Sequence, residues 1–274
     1  FKAAVDKVDV IDETSDTIKL TRHPHGNLAF DGVSVLLADG RVVISDATVE
    51  IEPGDRVLIV GESGAGKSTL FRALAGLWPW GSGTIYLPDP DSMMFMPQRP
   101  YLPLGTMRAA ITYPDPPDAF DSAEVAAAVK RVGLAEFLPA IDVETRLDKN
   151  LSLGQQQLVA FARLLLHRPA WVFLDEATSA LDEVSQRRVM SIFDHELNGS
   201  TVISIGHRPG LEHFHNCVLH LVRTPNGAVF DHTQQRNAAH GFSPLLRDDA
   251  AVATYTPAAA DGEIPARRAS GGAS

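Results

Sequence analysis

Val57-Leu58-Ile59-Val60-Gly61-Glu62-Ser63-Gly64-Ala65-Gly66-Lys67-Ser68-Thr69-Leu70-Phe71 is the run on which the fold turns. Its opening residues are continuously apolar and mostly β-branched, the pattern of a strand covered on both faces of a parallel sheet. Its end continues into Leu74 and Leu77, so apolar side chains return at helical spacing. Between strand and helix lies a match to G-x-x-x-x-G-K-[ST] running from Gly61 to Ser68, with Thr69 next. Glycines let such a backbone curl with its N–H groups turned toward a phosphate, and the helix N-terminus adds about half a positive charge. Lys67 would reach the β and γ phosphates as a point charge, and the Ser68 hydroxyl would coordinate Mg²⁺. An unliganded glycine turn is the duller reading, and the strand and helix on either side favour the phosphate loop.

Working outward, Trp171-Val172-Phe173-Leu174 and Thr201-Val202-Ile203-Ser204-Ile205 read as further buried strands. Leu158, Phe161, Ala162 and Leu165 follow a helical period that Pro169 stops, and Val125, Ala128, Val129 and Val132 repeat it up to Gly133. Strands alternating with helices imply an α/β layer fold. Nearer the start, Asp39-Gly40 between Val33–Leu37 and Val42–Ile44 signals a hairpin. The stretch from about 97 to 150 is Pro-rich and then helical, which suggests a small helical subdomain inserted into the core. Residues 1–25 read as a linker and 26–230 as the domain, with its helical part at about 98–150. Residues 231–274 read as a tail, disordered by its Ala, Pro, Gly and Ser content.

The second chemical signal is Asp175-Glu176 at the end of an apolar strand, where a parallel sheet presents its ligand-binding edge. Asp175 is placed to hold Mg²⁺ and Glu176 to polarise an attacking water. Composition narrows the rest. The chain has 274 residues with 24 Lys plus Arg against 34 Asp plus Glu, a net charge of −10, which disfavours nucleic acid bound across a broad surface. With 45% hydrophobic residues it can bury a core, which excludes a disordered chain. The single Cys217 forms no internal disulfide. No apolar run approaches the roughly 18–20 residues that span a bilayer, and the start at Phe1 reads as a fragment of something longer.

Taken together, the motifs resemble the nucleotide-binding domain of an ATP-binding-cassette (ABC) protein. The residues that carry the resemblance, in the family's order, are the loop Gly61–Ser68, Gln98 in Met96-Pro97-Gln98-Arg99, and the signature-like Leu151-Ser152-Leu153-Gly154-Gln155-Gln156-Gln157. Leu174-Asp175-Glu176-Ala177-Thr178-Ser179-Ala180-Leu181-Asp182 and Ile205-Gly206-His207-Arg208 complete it. The resemblance implies a P-loop, RecA-like α/β core with an antiparallel β subdomain and an inserted α-helical subdomain, and ATP with Mg²⁺ as ligands. It further implies that Gly61, Glu62, Ser63, Gly64, Ala65, Gly66, Lys67, Ser68 and Thr69 hold the nucleotide, and that Ser68, Gln98 and Asp175 attend the metal. Glu176, His207, Gln98 and Lys67 would serve catalysis, with His207 against the γ-phosphate and Asp182 in a loop crossing to a second copy. A phosphate loop covers one side of a nucleotide, so a lid must come from elsewhere. In ABC proteins a facing subunit supplies it through the signature, here Ser152, Gly154 and Gln155.

Arg99 to Thr106 after Gln98, Ala75-Gly76-Leu77-Trp78-Pro79 and the Leu-Ser-Leu-Gly signature are similar to one branch of the family. It holds the peroxisomal acyl-CoA transporters and bacterial relatives that move cobalamin or antimicrobial peptides. The branch implies a membrane domain N-terminal in the same chain, a second nucleotide-binding domain as partner, no nucleic acid, and a place on the cytoplasmic face of a membrane, in bacteria the inner one. The alternatives are a soluble ABC ATPase of translation or DNA repair, and a nucleotide-gated structural module. Against the first stand the lack of a second cassette, coiled coil or basic arms, and against the second stand Glu176 and His207. Three departures stand out. Leu153 replaces a frequent glycine, Leu158 a frequent arginine, and Leu37 falls where most exporters carry an aromatic that stacks on adenine. His213, His215, Cys217 and His220 lack closed zinc spacing and read as surface and core neighbours. Trp78 and Trp80 read as covers of the core edge.

Overall fold

A computed structural model describes residues 17–206, 208 and 210–236. Strands β4 (Arg56–Gly61), β7 (Trp171–Asp175) and β8 (Thr201–Ile205) form its centre. They pair in parallel, with Val57 opposite Ile203 and Phe173 opposite Ile203. Because side chains alternate along a strand, a continuous apolar run supplies two faces at once. Val57, Ile59, Phe173 and Ile203 pack with Leu70, Phe71 and Leu74 of α1 (Lys67–Leu74) on one side. Leu58, Val172, Leu174 and Val202 pack on the other side with helices α2 (Met107–Thr112), α3 (Ser122–Val132) and α5 (Leu153–His167).

Among the described residues the sheet has ten strands, with β1 (Lys19–Arg22), β2 (Leu28–Leu36), β3 (Val42–Ile51), β5 (Gly81–Leu87), β6 (Met93–Met96), β9 (Cys217–Thr224) and β10 (Gly227–Arg236) beside the central three, in the order β1-β5-β2-β3-β10-β9-β4-β8-β7-β6. At one end β6 (Met93–Met96) runs parallel to β7, and Phe95 stacks on Phe173 with ring centroids 4.5 Å apart. Toward the other end β2 (Leu28–Leu36) and β3 (Val42–Ile51) form the antiparallel hairpin read from Asp39-Gly40, and β5 (Gly81–Leu87) pairs antiparallel with β2. Thus the α/β core, the antiparallel part and the helical insertion all occur together.

The outer boundaries differ from the sequence reading. Residues 19–22 form β1 (Lys19–Arg22), paired in parallel with β5, so the sheet reaches into the expected linker. At the other end β9 (Cys217–Thr224) turns into β10 (Gly227–Arg236), which crosses position 231 where a tail was expected. β1 is exposed throughout and held by backbone pairing, whereas β10 pairs with β9 and places Ala228 and Phe230 in the core. Residues 1–16 and 237–274 lie outside the described residues. The helix after the phosphate loop ends at Leu74, so Leu77, at 72% exposure, falls beyond it. Trp78 and Trp80 meet edge to face, and Trp78 Nε1 donates to the Leu36 carbonyl at 2.7 Å.

The helical insertion is capped as its sequence suggests. Asp121 and Glu124 form a reciprocal capping box on α3, whose C-cap Gly133 takes a left-handed conformation. A short helix α4 (Leu147–Asn150) leads into Leu151 and the start of α5, and α6 (Glu183–Met190) follows β7. Arg163 of α5 donates to the carbonyls of Tyr101 and Ala110 and lies 5.1 Å from the centre of the Tyr113 ring. This ties α5 to the segment that follows Gln98. Among the described residues no helix is long and apolar enough to cross a membrane.

Candidate functional site: a phosphate cup at the sheet edge

The C-terminal ends of β4, β7 and β8 deliver Gly61, Asp175 and Ile205 to one edge of the sheet. From Gly61 the chain curls into a cavity of about 590 Å³, lined among others by Leu37, Val43, Gly64, Lys67, Ser68 and Glu176. Gly66 is the residue that permits the curl. Its φ is +94°, and an added Cβ would lie 2.2 Å from Val43 Cγ1. The first N–H groups of α1 come before its i to i−4 pattern can supply acceptors, so they are left for a ligand.

Lys67 Nζ donates to the carbonyls of Gly61 and Glu62, at 2.7 and 2.9 Å. Desolvation lowers its pKa against the opposing pull of Glu176 and Asp175. A desolvated ammonium held by neutral carbonyls is suited to an arriving anion. Ser68 Oγ donates to Asp175 Oδ1 at 3.1 Å. Burial raises the pKa of Asp175, Ser68 opposes this, and Glu176 adds to it. A hydroxyl and a desolvated carboxylate side by side are a hard oxygen pair of the kind that Mg²⁺ takes.

Glu176 follows with φ +49°, a left-handed position unusual for a residue with a side chain, and its N–H donates to the Ile205 carbonyl at 3.0 Å. Gln98 Nε2 donates to Glu176 Oε2 at 3.0 Å and reaches Ser179 Oγ at 3.4 Å. Lys67, Ser68, Asp175, Glu176 and Gln98 therefore converge on one edge, although 115 positions separate Gly61 from Glu176 in the chain. His207 lies outside the described residues. Its neighbour Arg208 donates through Nη1 to the carbonyls of Thr178 and Leu181, at 2.5 and 2.6 Å.

The signature stands apart from this cup. Ser152 caps α5, with Oγ accepting from Gln155 N at 3.2 Å while Gln155 Oε1 accepts from Ser152 N at 2.9 Å. None of Ser152, Gly154 and Gln155 lines the cavity of its own chain. Gly154 packs so closely on the crossing loop that an added Cβ would meet the Ala180 carbonyl at 2.8 Å. Asp182 caps α6, its Oδ1 accepting from Ser185 N at 2.7 Å.

Leu37 lines the cavity. Its N–H donates to Arg41 O and its carbonyl accepts from Gly40 N, at 2.8 and 2.9 Å, so the turn occupies its backbone. The His and Cys cluster does not converge: His215 is buried with Nδ1 at 2.7 Å from Leu211 O and Nε2 at 2.7 Å from Ser204 Oγ, and Cys217 is buried on β9. Sequence reasoning gave no role to Val43, Gln157, Arg208 or Arg223. Arg223 Nη2 donates to the Gly64 carbonyl at 2.9 Å from outside the loop. No local pattern announces an arginine late in a strand as a neighbour of Gly64. Gln157 stands within the signature run, which gave a weak signal.

Residues 44–179 match the family described as ABC transporter. An uncharacterized ABC transporter ATP-binding protein of Synechocystis sp. is 40% identical over 66% of this chain and 28% of its own length. ABC transporter D family member 1 of Arabidopsis thaliana is 37% identical over 70% of this chain and 15% of its own. Among solved structures, a bacterial Atm1-family ABC exporter with ATP bound superimposes with a TM-score of 0.66 and 29% identity, over 83% of this chain and 42% of that one. The chain thus spans less than half of each of these proteins. The D-family relative agrees with the branch read from the motifs, and neither of these two relatives is a soluble ATPase of translation or repair by its name. With its phosphate loop, its paired carboxylates and these relatives in common, the chain belongs to the ABC transporter family as an ATP-binding domain.

Proposed function

We propose that this domain hydrolyses ATP with Mg²⁺ and that the released energy drives transport across a membrane. The observation that carries the reading is the meeting of Ser68, Asp175, Glu176 and Gln98 around the mouth of the Lys67 loop. Gly61 to Thr69 wrap the phosphates, with Lys67 against the β and γ oxygens. Ser68 and Asp175 would hold Mg²⁺, with Gln98 beside them, and the ion would supply charge neutralisation at the phosphate oxygens. Glu176 orients the water that attacks the γ-phosphorus, as the bond to the β–γ bridging oxygen breaks and ADP and phosphate leave. His207 steadies that water and the γ-phosphate. Leu37 offers the base an apolar wall.

The signature of the same chain does not line the cup. A second copy facing head to tail would bring Ser152, Gly154 and Gln155 over the first copy's nucleotide and exclude water. The share of each relative that this chain leaves uncovered supports a membrane domain in the same polypeptide, N-terminal to the cassette. The domain would then work at the cytoplasmic face of a membrane, in bacteria the inner one. We take the cassette to run from β1 to β10, with its helical part at about 98–150.

Glu176→Gln keeps the side chain's size and removes its charge. Turnover should fall by about 10²-fold or more while ATP affinity is retained. ATPase rates and equilibrium nucleotide binding measured on the same preparation check this, and unchanged turnover would remove Glu176 from its role.

A further inference from the structure

In the head-to-tail arrangement proposed above, on which this inference rests, the signature and the hydrolytic residues of one chain address different nucleotides. Something within the chain must then let one report to the other. Gln157 stands on α5 five positions after Ser152, and it is 1% exposed. A buried carboxamide must find partners for two N–H groups and an oxygen. Gln157 Nε2 donates to Gln98 O at 2.9 Å and to Ser179 Oγ at 3.2 Å, with Glu176 O at 3.4 Å. Its Oε1 accepts from Ala180 N at 3.1 Å.

These partners are the segment bearing Gln98, the residue expected to orient water, and the loop between Glu176 and Asp182. Every one lies on or beside the hydrolytic edge. The circle closes through Gln98, whose own amide donates to Glu176 Oε2, and through Gly154, whose backbone abuts Ala180. The first two turns of α5 therefore grip the hydrolytic edge at two points, one steric and one polar. A shift of α5 would draw Gln98 O, Ala180 N and Ser179 Oγ with it.

We propose that Gln157 is a positioning residue that links the two nucleotide sites: it sets Gln98 and Glu176 at one site according to where α5 is held by the other. Hydrolysis then waits on the seating of the signature. Misplacing reacting groups by about 1 Å can lower a rate by as much as 10²-fold, so a single amide in this place can control turnover without touching nucleotide.

Gln157→Met keeps the volume and removes every polar contact. In that variant kcat should fall at least about tenfold. Nucleotide affinity should stay within about threefold, and the Hill coefficient for ATP should move toward one. Adding Ser179→Ala should cost little more, since both changes cut the same link. Should Gln157→Met fail to fold, Gln157→Glu, which keeps the acceptor and loses both donors, is judged by the same limits. A kcat within twofold of the parent, a loss of affinity equal to the loss of rate, or strict additivity with Ser179→Ala would each overturn the proposal. Gel filtration of Glu176→Gln with ATP separates the two levels. Failure to form a dimer would sink the head-to-tail reading, whereas a dimer with normal hydrolysis by Gln157→Met would sink this inference alone.

Discussion

Leu37 and Val43 line the cavity with apolar side chains where the proposed reading puts the base, and the backbone of Leu37 is already bonded within its own turn. Apolar contact distinguishes purines poorly, because discrimination by large factors needs a polar group left unpaired by the wrong ligand. ATP and GTP should therefore bind within about tenfold of each other, and side-by-side titration showing a preference above about a hundredfold would contradict this. At the same scale His215 has its pKa lowered from 6.5 to about 4, chiefly by burial, with Arg56 lowering it further and the Leu211 carbonyl and Glu212 opposing. The unfolded chain takes up this proton first as pH falls, so the stability is complete above about pH 6.5 and is lost between there and pH 4. The loss amounts to about 3 kcal/mol, and denaturant melts of His215→Gln should show a correspondingly flatter pH dependence over that window. Single residues were unevenly legible. Lys67, Ser68, Asp175 and Glu176 announced themselves because their chemistry demands fixed neighbours in sequence, whereas Arg223 touches Gly64 only through the pairing of β9 with β4.

Elements were easier to read where burial was two-sided. β4 and β7 carry four consecutive apolar residues each, and β8 three apolar residues among five buried ones, because each face has its own core. β1 carries exposed residues throughout, and it joins the sheet by backbone pairing with β5, which leaves no period in the sequence. The contact of α5 with the crossing loop belongs to this scale too. Gly154→Ala places a methyl 2.8 Å from a backbone oxygen, and neither the helix nor the loop can yield as a flexible side chain could. The substitution should destabilise the domain by about 1–3 kcal/mol, measurable by urea unfolding, and should lower ATP turnover by displacing the loop next to Glu176. A normal melt together with normal turnover would mean that the loop moves freely.

Over the whole molecule, one continuous sheet joins the phosphate cup to the antiparallel part, while the signature rides on a helical layer that meets the cup's edge through the crossing loop. On the head-to-tail reading proposed above, this separation is why a second copy would be needed to cover the nucleotide. Glu176→Gln should elute as a monomer without nucleotide and shift to a dimer with ATP and Mg²⁺, and a profile indifferent to nucleotide would oppose the paired arrangement. The long-range convergence of Gln98 with Glu176 was legible only through the resemblance, since periodicity cannot say which loops meet.

The reciprocal cap on α5 carries a further consequence. Ser152 Oγ accepts from its own helix, yet a hydroxyl that accepts still has a proton to give, so it can serve an incoming oxyanion without disturbing the helix start. The main-chain N–H of Ser152, by contrast, is already satisfied by Gln155, and an anion there would replace one bond with another. In the head-to-tail arrangement proposed above, Ser152 would thus offer the twin's nucleotide one hydroxyl proton and no unspent main-chain donor, a light grip that is easy to undo.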